Sequence, residues 1–310
     1  GQESGHDVED FEKLFQAYFS KRPEKENAVR IKSLVQAVQN IDQAESEKEI
    51  DQIYEQIQSG VISGSADDYH NAAVGFSRRQ QNERAVRVCK VGLKKWPDNI
   101  DLNADALTYA MDAGLTDELE ELAAALQRNC PDRSRWNWRG FRFLFLYYIK
   151  VKPDGYEEKT KTLIEEYKKY IPADERAYMC EYERYQGLGK PDEAVQALEE
   201  AVTNLKAPQC ALTLADIYFE RADYDDAIRT ATLGIAYAAE PQPGIRTSYL
   251  LMLRAMAKDA ALLRKGNFSD KEVQEVLKEY KLAQKYVSIR ERRVIDLRID
   301  ILQTYASLPE

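Results

Sequence analysis

Residue types able to do chemistry are few and scattered in this 310-residue chain. The only histidines are His6 and His70. The four cysteines, Cys89, Cys130, Cys180 and Cys210, fall in or beside four different predicted helices, and none belongs to a CxxC pair. With so few imidazoles and no thiol pairs, a zinc site does not fit. Buried free thiols in a reducing, cytoplasmic compartment are the expected state. A general base must sit within hydrogen-bond reach of a partner that orients it. His6 lies in a polar, loose N-terminus, and His70, near the start of a helix where it could face a groove, has no partner that the sequence can place beside it. HExxH, GxSxG and the glycine loops of dinucleotide or triphosphate sites are absent. Gly187-Leu188-Gly189-Lys190 has the wrong spacing for a phosphate loop and no strand before it. Asn267-Phe268-Ser269 is a formal glycosylation sequon that carries little weight alone. The expectation is a non-enzyme with no metal and no cofactor.

Cation and aromatic chemistry is concentrated in one stretch. Trp136 to Val151, WNWRGFRFLFLYYIKV, is apolar around its whole circumference and carries Arg139 and Arg142, with Arg135 just before it. It is too short and too charged for a membrane span. A helix of this kind normally lies in a packed core, with its arginines emerging at a groove. The sharper alternative is an aromatic platform with cationic anchors for an acidic peptide; a homodimer contact is a third.

These residues must be positioned by helices, and the helices repeat. In Asn82 to Pro97, Ala85, Cys89, Gly92 and Leu93 share one face, while Tyr69, Ala72, Ala73 and Phe76 make an apolar face on the helix before. Such a hairpin has one sticky side and needs copies of itself for neighbours. Pro97 and Pro131 are 34 residues apart, Pro131 and Pro172 are 41 apart, and Pro208 and Pro241–Pro243 continue the phase. The longer interval holds an insertion of about seven residues. Ala85, Ala194 and Ala227 open second helices; Gly92, Ala201 and Gly234 follow seven residues later and permit close approach; Phe76, Tyr185 and Tyr218 fill the wedge between helices.

This arrangement resembles the tetratricopeptide repeat. Tyr69, Ala73, Phe76, Ala85, Gly92 and Pro97 carry the resemblance, then Gly114, Leu126 and Pro131, then Tyr178, Tyr185, Gly189, Ala194, Leu198 and Ala201, then Leu214, Ala215, Tyr218, Ala227 and Gly234. Leu119 stands where a small opening residue belongs, and Cys89 where an aromatic is preferred. The resemblance implies an all-α, right-handed superhelical solenoid of antiparallel hairpins whose concave face binds proteins or peptides. Helical phase offers His70, Arg78, Trp138, Arg139, Arg142, Glu183, Asp216 and Glu220 as residues lining that face.

Composition agrees with such a binding module. Hydrophobic residues make up 44% and charged residues 31%, and the net charge of -9 gives no sign of a general nucleic-acid surface. Nineteen tyrosines against nine phenylalanines suit the aromatic wedges of a helical stack. Before the repeats, 10–19, 26–41 and 46–58 are predicted helices of a cap or linker region spanning residues 1–65, with Ser59-Gly60 and Ser63-Gly64-Ser65 as a joint. Residues 66–240 hold the repeats, in a solenoid of about five hairpins. Beyond a break at Pro241–Gly244, residues 241–310 form an extended hairpin and a closing helix whose Arg290, Arg292, Arg293 and Arg298 make a solvated face. The leading reading is a peptide- or protein-binding scaffold without membrane or nucleic-acid contact. The alternative is the C-terminal sensor part of a bacterial transcription regulator whose DNA-binding head precedes residue 1. A purely structural scaffold or dimer is the third class.

Overall fold

The computed structural model describes Ala37, Ile41 and residues 47–238 and 245–306; Ala37 and Ile41 are helical, and from Glu47 on the regular structure among the described residues is fourteen α-helices and one 3-10 turn. The expected helix over 10–19, most of that over 26–41, His6 and the break at Pro241–Gly244 lie outside them. The helices fall into two compact units, Gly1–Lys159 and Thr160–Glu310.

The first unit contains α1 (Glu47–Gln58), α2 (Ala66–Arg78), α3 (Asn82–Leu93), α4 (Ile100–Ala113), α5 (Thr116–Asn129), a 3-10 turn at Arg133–Arg135 and α6 (Trp138–Val151). Polar caps fix where its helices start. The Ser65 hydroxyl accepts from the Asp68 backbone N–H, while the Asp68 carboxylate accepts from the Ser65 N–H at 2.7 Å. The side chains of Asn99 and Asn137 likewise accept first-turn amides of α4 and α6, groups that have no partner within the helix. Gly114 ends α4 with φ 70°, a left-handed conformation in which a side chain would be strained. Helix α3 packs between α2 and α4 and buries Ala85, Val86, Val88, Cys89 and Gly92. A Cβ on Gly92 would come within 2.9 Å of Leu102 and 3.0 Å of Tyr69, so glycine is what allows this approach. Helix α1 adds Ile50 and Ile57 to the core and sets Tyr54 edge-on to Phe76 at 5.8 Å.

Trp136 precedes α6 rather than opening it. It is buried beside the 3-10 turn and donates from Nε1 to the Cys130 carbonyl at 2.8 Å. Within α6, Gly140, Phe141, Leu144, Phe145, Tyr147 and Tyr148 are buried, whereas Trp138, Arg139, Arg142 and Phe143 are half-buried. The helix is therefore central to its core without being covered all round.

Helix α7 (Tyr156–Tyr170) carries the chain into the second unit, which continues with α8 (Glu175–Gly187), α9 (Pro191–Leu205), α10 (Pro208–Glu220), α11 (Tyr224–Ala238), α12 (Ile245–Lys265), α13 (Asp270–Gln284) and α14 (Ile289–Ala306). Pro191 and Pro208 occupy first turns, where a missing N–H costs nothing. Ala194, Ala201 and Ala227 are fully buried, and a Cβ on Gly234 would lie 3.0 Å from Ala211 and from both methyls of Leu250. Tyr218 is buried in its wedge, but Tyr185 is only half-buried and stacks beneath Arg184 at 5.5 Å. Tyrosine suits the edge of a core because its ring is apolar and its phenol is polar.

The terminal helices pack more deeply than a simple cap. Leu251, Ala255, Val273, Val276, Leu277, Ile295, Ile299 and Leu302 form one cluster across α12, α13 and α14. Arg298 departs from the solvated face expected for it. Its Nη2 donates to Asp259 Oδ1 at 2.7 Å and its Nε to the other carboxylate oxygen, which also accepts from the Tyr280 hydroxyl at 2.9 Å. Asp259 is buried, so the guanidinium is drawn inward to neutralise it.

Candidate functional site

In the first unit, α2 packs on α4 and α4 on α6, so equivalent positions of successive first helices become neighbours. A polar ladder crosses the three. His70 of α2 places Nδ1 2.5 Å from Asp105 Oδ2 of α4. The other Asp105 oxygen accepts from Nη2 of Arg139 on α6, whose Nε lies 3.3 Å from Asp101. The Asp105 side chain is 1% exposed, against 24% for His70 and 21% for Arg139. Sequence reasoning finds no partner for His70; the repeat register supplies one from 35 residues further on.

Bonding to Asp105 raises the His70 imidazole above its usual value, against the opposing effect of burial and of Arg139. Burial pushes the neighbouring Cys89 thiol well up, and the Asp105 charge adds to this. Burial chiefly raises the Tyr109 phenol too. A thiol held protonated in a sealed core is not a nucleophile. The group works as an ion-paired brace, with the carboxylate shared between two basic side chains.

Beside the brace, α6 offers a partly exposed aromatic edge. Trp138 and Phe143 meet at 5.9 Å and 72°, and the Arg139 guanidinium lies 5.6 Å from the first ring and 5.2 Å from the second. Arg142 sits 5.6 Å from Phe145. Arg78 is exposed in the last turn of α2. Arg139 is thus held by carboxylates while its guanidinium lies close to two rings.

The second unit gathers the acidic candidates. Glu183 lies on α8, and Asp216 and Glu220 are exposed on α10. All three act on Tyr182, whose phenol is raised first by burial and then by the Glu220 charge, with Glu183 and Asp216 contributing. Helical phase alone does not pick out Tyr182. A second ladder runs across α8, α10 and α12 here: Glu175 accepts from the Gln209 backbone N–H at 2.8 Å, and the Gln209 side chain accepts from Arg246 at 2.9 Å. In each unit, stepping about one repeat length along the chain from one polar residue finds the next. Among the described residues no three His, Cys, Asp or Glu side chains are grouped to hold a metal ion, and no helix is long and apolar enough to cross a membrane.

No protein-family model matches the sequence. No curated protein matches it either. Solved structures that resemble the chain include a tetratricopeptide-repeat protein of Thermus thermophilus, at 18% identity and a TM-score of 0.43, covering 64% of this chain and 100% of that one. Another is a tetratricopeptide repeat protein from Parabacteroides merdae, at 14% identity and a TM-score of 0.46, covering 88% and 99%. PilF of Pseudomonas aeruginosa matches at 16% identity and a TM-score of 0.46, covering 75% and 97%. The hairpins, caps and 34-residue register described above are this chain's own evidence for a tetratricopeptide-like helical repeat.

Proposed function

We propose that this chain is a non-enzymatic scaffold that binds a protein or peptide, and that the surface carried by α2, α4 and α6 takes an acidic or mixed-charge segment. The supporting observation is the half-buried Trp138–Phe143 edge with Arg139 and Arg142 on the same helix. Aromatic and arginine side chains are the types that anchor interfaces. The His70–Asp105–Arg139 brace fixes one of those arginines before any partner arrives, which lowers the ordering cost of binding. Arg139 is a positioned ring neighbour in this scheme, and Arg142 with Trp138 makes the direct contacts.

An array of synthetic acidic, neutral and basic peptides, probed with the purified chain at low salt, tests this reading. Retention on acidic peptides is expected, falling as salt screens the attraction. It should be lost in Trp138→Ala/Arg142→Ala while the circular dichroism stays as in the wild type. Retention unchanged in that variant, no retention on acidic peptides, or preference for basic ones overturns the assignment.

A further inference from the structure

Helix α14 has two apolar faces. Ile295, Ile299 and Leu302 form one, buried in the cluster with α12 and α13. On the other, Val294, Leu297, Ile301 and Tyr305 are 71%, 63%, 46% and 55% exposed. Their spacings of three, four and four residues line them up as a single stripe along the helix. A closing helix that only shielded the core would carry polar residues there.

The charges beside the stripe are segregated. Arg290 and Arg293 are exposed toward its N-terminal end and Asp300 toward its C-terminal end, and among the described residues neither Arg293 nor Asp300 makes an ion pair. Seven residues of helix separate them by roughly 10 Å along one flank.

We propose that a second copy of this chain docks on the exposed face, α14 against α14, antiparallel about a two-fold axis at Leu297. Two-fold pairing sets the same patch against itself, so a patch must complement its own image. Parallel pairing would set this flank against the opposite flank of the mate, so Arg293 and Asp300 would not meet. Antiparallel pairing about Leu297 keeps the same flanks together and brings Arg293 of one copy within one residue of Asp300 of the other, and Val294 within one residue of Ile301, an offset of about 1.5 Å in each case. Apolar and charged positions thus agree on one alignment. Tyr305, whose ring lies 5.4 Å from Phe268 of its own chain, closes the C-terminal end of the stripe. The residues of this interface belong to the second unit and those of the α2–α4–α6 face to the first, so the two readings are tested on different side chains.

Sedimentation equilibrium of the full chain measures the association. The wild type should be a dimer at micromolar concentration, and Leu297→Glu, which sets two carboxylates together on the axis, should be monomeric with unchanged circular dichroism. Arg293→Asp and Asp300→Arg should each weaken the dimer by tenfold or more, and the double exchange Arg293→Asp/Asp300→Arg should restore it. A wild-type monomer, or a dimer indifferent to Leu297→Glu, overturns the interface. Failure of the double exchange to rescue overturns the antiparallel register. Cross-linking gives an independent reading, because all four native cysteines are buried. Leu297→Cys should be joined to its mate by a short bis-maleimide, and Leu263→Cys, at an exposed position on α12, should not; the reverse pattern excludes the axis.

Discussion

Asp105 is almost wholly buried between two basic side chains, so its removal should cost more than the removal of either neighbour. Asp105→Ala leaves the imidazole without its counter-charge and the guanidinium with Asp101 alone, and a loss near the lower end of the range of about 3–5 kcal/mol is expected in urea melts. His70→Ala removes one charged hydrogen bond, for about 1.5–3 kcal/mol. The imidazole also makes stability pH-dependent. Its folded value is raised by the bond to Asp105, so its contribution is complete below the unfolded value of about 6.5 and is lost as pH rises through the folded one. With only two histidines in the chain, proton NMR can follow both. The His70 resonance should titrate above the ordinary value and move back down in Asp105→Asn; an unshifted titration in the wild type refutes the pairing. At Gly234 the crowding by Ala211 and Leu250 predicts that Gly234→Leu destabilises by roughly 1–3 kcal/mol, and a neutral result would mean that this contact yields. Gly234, Gly92 and the buried alanines are legible in the sequence because close packing leaves room for only the smallest side chains, and that demand recurs with the repeat. Asp105 is not, because a lone acidic residue on a helix has the same pattern whether it faces water or a histidine one repeat away.

At the scale of single helices, the ends are more legible than the faces. Ser65, Asn99, Asn137 and Ser269 are cap residues whose local chemistry favours a helix start. Ser65→Ala should therefore cost about 1 kcal/mol and fray the first turn of α2, seen as faster amide exchange there and nowhere distant. Which way a helix turns depends on neighbours that sequence spacing does not name. Spacing assigns Arg298 to water along with Arg290, Arg292 and Arg293, yet it points inward because Asp259 lies buried opposite it on α12. Arg298→Ala should leave that carboxylate with Tyr280 alone and loosen the hold on α14. Hydrogen exchange should rise across α13 and α14 while α8 and α9 stay protected. Uniform acceleration through the whole second unit would show that the ion pair braces more than its own helices.

For the whole molecule, the division into Gly1–Lys159 and Thr160–Glu310 falls inside the stretched interval between Pro131 and Pro172. The insertion is visible in the proline spacing, but spacing alone does not say where contacts thin out. All three tryptophans, Trp96, Trp136 and Trp138, belong to the first unit, while helix is present in both. Tryptophan fluorescence and far-ultraviolet circular dichroism should consequently give different denaturation midpoints, as repeat proteins with local contacts allow. Superimposable curves would mean that the units unfold as one. The buried cysteines extend this to single molecules. Cys89 and Cys130 lie in the first unit and Cys180 and Cys210 in the second, and burial raises the thiols of Cys89, Cys130 and Cys210. The chain therefore carries its own two-channel timer: under an alkylating pulse, a mass increment of two labels marks a molecule with one unit open, four mark complete opening, and the labelled peptides tell which unit went first.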